Sequence, residues 1–436
     1  MGLGMKRLIG TLCSVFATVT AASAADVPVA TTTSVTTSES TWSVTFASEV
    51  RYFSWKSDRG FPPGSASADF RGRGSELYIP YTVQLVGQPN DNIKIEILGR
   101  GGWVRARQST ADKSGEVETT TDTVASATAT YLGFNGVQPF ASVNINFPTG
   151  KSALFGSAAN ARMDADLVDI ASFGEGFNIG PTVGFSLPIT SNLIATVSAG
   201  YTRRGTFTRE GPPSPPNPAP VAPTIDPGDT VTVTGSIGYQ MGQLAGEITG
   251  TVSGETDTRV NGEALYRAGM RFLASGTWSY TWPETWGVTT LTASASHANK
   301  NKVLFVLPAT PSFDTEPFNS NSNLYRVGLE HLFSFGKLWA GPTGSYLYRD
   351  HNGYDSNTLQ FVSAKERWST GLLASYVASE RVTFNARAEH VWVHEHQSYR
   401  DNPFSVLAGG AIIVTQGVPA ISSTGWQFAA GANARF

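Results

Sequence analysis

The chain has 436 residues and a formal net charge of −3, and only 15% of its residues are charged. Ordinary soluble domains carry about 25% charged residues, whereas glycine (45 residues) and aromatic residues (24 Phe, 14 Tyr, 10 Trp) are numerous here. The negative net charge argues against a nucleic-acid partner, because nucleic acids are bound by basic surfaces. The single cysteine, Cys13, lies in an N-terminal apolar run. The rest of the chain therefore excludes disulfides, thiolate metal sites and a cysteine nucleophile.

The N-terminus has the pattern of a secretory signal peptide. Lys6 and Arg7 precede an apolar run from Leu8 to Val19, and Ala22-Ser23-Ala24 is the small-x-small sequence that signal peptidase accepts. We predict a signal peptide over residues 1–24 and a disordered periplasmic leader, rich in Thr and Ser, over residues 25–40. No later stretch approaches the roughly 18 apolar residues of a membrane-spanning helix. Residues 41–436 thus form either a secreted all-β protein or a transmembrane β-barrel.

Apolar and polar residues alternate with a period of two along many segments. From Val231 to Tyr239 the odd positions are mostly apolar, and the even positions are Thr, Ser or Gly. From Tyr266 to Tyr280 the even positions carry aromatic and small residues, while Arg267 and Arg271 occupy odd positions. An arginine facing lipid at the mid-plane costs about 2–4 kcal/mol, so we expect the arginines to face a polar lumen. A helix has a period of 3.6 and would not keep these sets apart.

The number and spacing of these segments predict an all-β fold, an antiparallel up-and-down transmembrane β-barrel of about sixteen strands. Fourteen and eighteen strands are the alternatives. Short connections alternate with long polar or proline-rich ones such as Pro212 to Pro227, which we expect to be an extracellular loop without strands. The strands are predicted near residues 41–55, 75–87, 92–106, 122–136, 139–148, 178–188, 192–205, 229–242, 244–257, 262–281, 284–299, 321–335, 337–350, 361–377, 380–396 and 424–436.

The last predicted strand ends in an aromatic residue. Its even positions from Trp426 to Phe436 share one face, and Gly431 precedes the terminal Phe436. This pattern resembles the β-signal by which the barrel-assembly machinery recognises Gram-negative outer-membrane proteins, although Ala429 stands where a polar residue is usual. The resemblance implies a porin-like outer-membrane barrel that has the barrel-assembly machinery as a partner, with Gly431 and Phe436 as its assembly signal.

A second resemblance covers residues 40–205. Asn146-Phe147-Pro148-Thr149-Gly150, then Asp166-Leu167-Val168 and the segment from Gly176 to Leu187, resemble the outer-membrane barrel family associated with phenol-degradation (MetA-pathway) gene clusters. Membership of that family implies transport of hydrophobic small molecules.

The alternation places many charged residues on the lumen side of the predicted strands. A basic excess there lowers the barrier for anions. The alternative is that these charges pair across neighbouring strands and stabilise the wall. The predicted lumen charges are Arg51, Lys94, Arg100, Arg267, Arg271, Arg326, Arg387, Glu96, Glu330 and Glu389.

Three predicted outer connections contain apolar runs: Leu167 to Phe173, Val303 to Leu307, and Val406 to Val414. Apolar side chains in an exposed loop are unfavourable unless they fold inward or bind something. The runs could form a hydrophobic mouth for an apolar solute. The alternative is that they extend the strands beyond the membrane or pack on one another as a lid.

The sequence favours no metal, cofactor or catalytic site. His390, His394 and His396 share a face expected to point at lipid, and the acidic residues between Asp164 and Asp169 lack the glycine and glutamate of a calcium loop. No G-x-S-x-G motif is present.

We therefore expect an outer-membrane channel for passive diffusion of small solutes, with anion preference as one option. The alternatives are a transporter for hydrophobic or aromatic molecules and a structural or adhesive barrel plugged by its loops. Outer-membrane lipids and a small-molecule solute are the expected partners, nucleic acid is not, and oligomerisation is left open.

Overall fold

The computed structural model describes residues 42–58, 72–109, 114–134, 136–163, 165, 168–209, 223–283, 286–305, 312–356, 361–397, 404–408, 411–415 and 420–436. The predicted signal peptide and leader lie outside these residues. No helix among the described residues is both long and apolar enough to cross a membrane.

Most described residues belong to strands, because alternating β-branched, aromatic and small residues suit a pleated surface with two different faces. A short 3-10 helix spans Gly156–Ala161. The strands are β1 (Trp42–Ser57), β2 (Gly72–Asn90), β3 (Ile93–Ser109), β4 (Ser114–Thr120), β5 (Thr123–Tyr131), β6 (Gln138–Phe147), β7 (Asn178–Thr190), β8 (Leu193–Arg204), β9 (Phe207–Thr208), β10 (Thr224–Asp226), β11 (Thr230–Met241), β12 (Leu244–Glu255), β13 (Thr258–Val260), β14 (Glu263–Arg267), β15 (Arg271–Thr281), β16 (Val288–Ala298), β17 (Lys302–Phe305), β18 (Ser312–Thr315), β19 (Leu324–Phe335), β20 (Leu338–Arg349), β21 (Lys365–Val377), β22 (Val382–Glu395), β23 (Phe404–Ala408), β24 (Ala411–Thr415) and β25 (Ile421–Arg435).

A closed antiparallel barrel of 16 strands contains most of these elements. Each wall strand pairs with the next along the chain, and β25 pairs with β1, from Thr45 opposite Arg435 to Ser57 opposite Ser423. Two backbone hydrogen bonds between Val44 and Phe436 complete this seam. β4 and β5 pair with the two halves of β3, so together they make one wall strand. The predicted fold and strand number are confirmed.

The two faces of the wall differ as the alternation predicted. On β11 the side chains of Val233 and Ile237 are about half exposed on the outside (49% and 51%), and Thr234 and Ser236 between them point inward. The same parity holds around the barrel, with large apolar side chains outside. Such a surface suits hydrocarbon, and the closed ladder leaves no strand edge unpaired in it.

The connections are short at one end of the barrel and long at the other. At the short-turn end, where β1 begins and β25 ends, Gly242 and Gly336 begin two-residue turns with φ of 61° and 72°. Glycine adopts this left-handed region without the steric cost that other residues bear. At the long-loop end the connections reach about thirty residues between β6 and β7.

A second sheet, of six strands, rises from the long-loop end in the order β18-β17-β14-β13-β10-β9. Each of its strands is the continuation, along the chain, of one of six adjacent wall strands. Two sequence predictions are wrong at this end of the barrel. The segment predicted as one strand over 262–281 breaks between Arg267 and Arg271, because Gly269 lies against the backbone of Asn299 too closely for any side chain. The end of the proline-rich tract forms β10 rather than irregular loop.

Candidate transport pathway

The inward-facing side chains divide the lumen wall into two parts. From β5 through β16 they are mostly Ser, Thr and Asn, and several bond to one another across strands. The hydroxyls of Ser186 and Thr196 lie 3.0 Å apart, and those of Thr234 and Thr251 lie 3.2 Å apart. We call this part the hydroxyl wall; its inward residues include Ser126, Thr128, Ser142, Asn144, Thr182, Ser186, Thr196, Ser198, Thr232, Thr234, Ser236, Thr249, Thr251, Ser253, Ser275, Thr277, Ser279, Thr290 and Ser294.

The remaining strands, β19 to β22, β25 and β1 to β3, carry most of the inward charges. On these strands Arg387 donates to Glu330 Oε1 at 2.9 Å and to Thr343 Oγ1 at 3.1 Å. Its Nε also lies 3.1 Å from Oε2 of the buried Glu389. One guanidinium is thus held between two carboxylates, so this cluster has a net negative formal charge.

A second cluster lies around Arg51 on β1. Arg51 forms ion pairs with Glu49 on the same strand and with Asp169 in the connection between β6 and β7, at 3.5 Å. Its guanidinium carbon lies 5.8 Å from the ring centre of Tyr78, within range of a cation–π contact. Arg51 is therefore paired like Arg387, but its partners lie on its own strand and in the β6–β7 connection.

The other predicted lumen charges divide between the wall and the second sheet. Lys94 lies 3.9 Å from Glu96, which also accepts a hydrogen bond from Gln84 at 2.7 Å. Arg271 lies 3.8 Å from Glu255 at the start of β15. Arg100 and Arg326 occupy inward positions of β3 and β19.

Arg267 is placed differently, on β14 of the second sheet. Its Nε donates to Asp257 at 2.6 Å, and this bond raises the pKa of the arginine. Arg267 lies in the second sheet and Arg271 in the barrel wall because the strand breaks at Gly269. One continuous strand over residues 262–281 would have placed both arginines on the lumen face of the barrel wall.

The described part of the connection between β6 and β7 folds into the barrel; we call the described residues between 148 and 177 the inward loop. Its buried side chains, such as Met163 and Phe173, pack against inward residues of β1, β3, β4 and β22. Trp55 Nε1 lies 3.1 Å from Met163 Sδ. The full apolar cluster is Phe53, Trp55, Val104, Ala106, Val117, Leu154, Ala161, Met163, Val168, Phe173, Val391 and Val393.

Two carboxylates fix the backbone of this loop. Glu76 on β2 is 2% exposed, and its Oε1 accepts the backbone N–H groups of Asp169 and Ile170, each at 3.1 Å. Asp122, between β4 and β5, accepts the N–H of Gly150 at 2.9 Å and that of Glu175 at 2.7 Å. The entry, the middle and the exit of the loop are thereby attached to the wall.

The three apolar runs predicted in outer connections lie in different parts of the structure. Val168 and Phe173 are buried in the apolar cluster, so the described part of the first run packs on the wall and is covered by it. Val303 to Phe305 lie in β17, which extends the wall as a strand, and residues 306–311 lie outside the described residues. The third run falls on the β23–β24 hairpin, of which only the backbone is described.

Sequence reasoning missed Glu76, Asp122 and Asp169 as loop anchors. Glu76 lies on the inward face of a predicted strand, but its partners are backbone N–H groups more than ninety residues away. Only the apolar run from Leu167 to Phe173 signalled that this connection folds inward.

At the end of β25, Gly431 faces inward beside Glu49. A Cβ at position 431 would overlap the Glu49 side chain, so the glycine permits close approach of β25 and β1 at the seam. Phe436 is largely exposed on the outside. In the described residues no three His, Asp or Glu side chains converge as metal ligands.

Comparisons with known proteins give matches among solved structures only. No protein-family model and no curated protein sequence matches the chain. The solved structures that match are outer-membrane barrels. The COG4313 outer-membrane channel from Pseudomonas putida F1 is 13% identical, with a TM-score of 0.35, over 66% of this chain and 95% of that one. The TodX deltaS2S3 mutant, a monoaromatic hydrocarbon channel, is 11% identical, with a TM-score of 0.42, over 92% and 91%. OpdQ from Pseudomonas aeruginosa is 9% identical, with a TM-score of 0.39, over 90% and 98%.

Proposed function

We propose that the protein is an outer-membrane channel through which small polar solutes diffuse passively. The observation that carries this proposal is the lumen wall, whose inward side chains are hydroxyls, amides and paired charges. Such a wall holds water, and water carries polar solutes. Sixteen strands also give a diameter at which an aqueous channel is expected rather than a packed core.

The apolar outer surface supports the location. A closed barrel with large exposed apolar side chains outside and polar residues inside suits a bilayer, and short turns opposite long loops are typical of bacterial outer-membrane barrels. On this proposal the long-loop end is extracellular, and the barrel contacts outer-membrane lipids and depends on the barrel-assembly machinery.

The ion pairs favour weak ion selectivity over strong anion preference. Arg51, Lys94, Arg271 and Arg387 each lie within 4 Å of a carboxylate. Paired charges present less net field to a passing ion than isolated ones. A transporter for hydrophobic molecules is less well supported, because the larger apolar cluster inside the barrel is covered by the inward loop. Among the described residues, the other inward cluster consists only of Leu332, Trp339 and Leu373 with Val288 packed against them.

Liposome swelling tests this proposal. Vesicles containing the refolded protein are diluted into solutions of sugars of increasing size, and the swelling rate is followed by light scattering. A channel for polar solutes gives rates that fall with sugar size. Swelling no faster than in protein-free vesicles, together with uptake of an aromatic hydrocarbon, would support the transporter instead.

A further inference from the structure

A cluster of basic side chains lies on the outer face of β1, β2 and β3, where these strands approach the long-loop end. Lys56 is directly opposite Arg73, and one row closer to the bilayer Ser54 is opposite Ser75, which in turn is opposite Arg107. Arg105 follows in the next row, opposite Leu77. We call these residues, Ser54, Lys56, Arg73, Ser75, Arg105 and Arg107, the basic notch.

The basic notch begins where the apolar outer surface ends. Along the outward face of β3, Trp103 is followed by Arg105 and Arg107, and along β1, Tyr52 is followed by Ser54 and Lys56. Trp426 of β25 lies next to Ser54. Aromatic residues mark the level of the lipid headgroups in transmembrane barrels, so the notch lies at headgroup level and not in open solvent.

The described residues balance only part of the positive charge of the notch. Like charges directly opposite on neighbouring strands are destabilising, yet Lys56 and Arg73 are paired in this way, and neither has an ion-pair partner among the described residues. Arg105 and Arg107 share one carboxylate, that of Glu116, at 2.7 and 2.8 Å. Glu118 lies directly opposite Arg105 on β4, so Glu116 and Glu118 together balance these two arginines. The net positive charge of the notch therefore comes from Lys56 and Arg73.

The chemistry of the notch fits a phosphate group. Guanidinium and ammonium groups donate hydrogen bonds to phosphate oxygens, and two hydroxyls in the middle add further donors. An anion between Lys56 and Arg73 would also remove their mutual repulsion. Aromatic rings just below offer contact to the first segment of an acyl chain.

We propose that the basic notch binds the phosphate groups of an anionic lipid headgroup in the outer leaflet of the membrane. This inference rests on the proposed location in an outer membrane. The ligand is a phosphorylated glycolipid or phospholipid whose chains lie against the barrel wall below the notch.

Native mass spectrometry of the refolded protein in detergent, with diphosphorylated lipid A added, tests the proposal. We expect lipid A to bind the parent protein. The double variant Lys56→Gln with Arg73→Gln should bind it about thirtyfold more weakly, because each basic group near an anionic lipid surface contributes about 1 kcal/mol, or roughly a fivefold change in affinity. Lipid A without its phosphates should bind the parent as weakly as lipid A binds the double variant.

The matched control is Arg203→Gln with Arg209→Gln, which removes two exposed arginines elsewhere at the long-loop end. The proposal is overturned if this control loses lipid A as strongly as the notch variant, or if the notch variant binds like the parent. Displacement of lipid A by millimolar inorganic phosphate would also overturn it, because it would indicate a site for free phosphate.

A second variant, Glu116→Gln, works in the opposite direction. It frees Arg105 and Arg107 and should tighten lipid A binding severalfold; weaker binding would contradict the proposal. Conductance separates this inference from the proposed function. If the protein conducts but does not bind lipid A, only the proposal for the basic notch is contradicted. If it binds lipid A but does not conduct, only the proposed channel function is contradicted.

Discussion

At the residue scale, the position of the inward loop depends on Glu76. Its buried carboxylate accepts two backbone N–H groups of the loop, and the apolar cluster packs beside them. Glu76→Ala would leave two donors unpaired, each at a cost of about 1–3 kcal/mol. We expect the loop to detach while the barrel stays folded.

Trypsin cleavage after Arg162 in the folded barrel measures this. The Glu76→Ala variant should be cut at least tenfold faster than the parent. Glu118→Ala is the control, because it removes an exposed carboxylate from the outer face of neighbouring β4. Equal cleavage rates in all three proteins would show that Glu76 does not hold the loop.

A substitution at Arg387 tests whether the paired charges of the lumen set its ion selectivity. Arg387→Gln leaves Glu330 and Glu389 close together without a cation, so we expect the reversal potential in a salt gradient to move toward cation selectivity. Breaking a buried pair also costs about 3 kcal/mol of stability. Arg267→Gln, in the second sheet, is the control, and a shift of the same size there would contradict a lumen role for Arg387.

A substitution at Gly431 tests how much the close approach of β1 and β25 contributes to stability. Gly431→Ala would bring a Cβ into overlap with Glu49 Cβ and the backbone oxygen of Ser48, so β1 and β25 would have to move apart. We expect a loss of about 1–3 kcal/mol in the free energy of unfolding, measured by urea in lipid vesicles. Gly250→Ala has open space around it and should change stability by less than about 0.5 kcal/mol. Equal effects would show that close approach at the seam is unimportant. The role of Gly431 and Phe436 in recognition by the assembly machinery stays a prediction.

At the element scale, the alternation on each strand was readable from the sequence because lipid and water impose opposite demands on its two faces. Val231 to Tyr239 is an example, with the predicted parity present on β11. The break at Gly269 was not readable, since residues 262–281 alternate without interruption and only the neighbouring backbone of Asn299 shows why the strand bends. The ion pairs of Arg51 and Arg387 also depend on which strands become neighbours.

Two adjacent residues on β11 test the assignment of faces. Val233→Arg puts a charge into lipid and should cost about 2–4 kcal/mol near the mid-plane. Thr234→Arg puts the same charge into the lumen, so it should cost less and should increase anion permeability. Urea unfolding in vesicles and reversal potentials measure the two effects, and the opposite order of stabilities would reverse the assigned faces.

At the scale of the whole molecule, the barrel combines a polar lumen, an inward loop attached at three points, and a wall extended on one side by the second sheet. The hydroxyl wall faces the strands that carry the paired charges, so the lumen offers water and hydrogen-bond partners along its length. We propose that this lumen conducts ions and small polar solutes.

Single-channel recording of the refolded protein in a planar bilayer measures this conduction. We expect stable conductance steps with weak ion selectivity, and larger or noisier steps when Glu76→Ala releases the inward loop. A folded protein that inserts but stays silent, in both the parent and the Glu76→Ala variant, would contradict the channel.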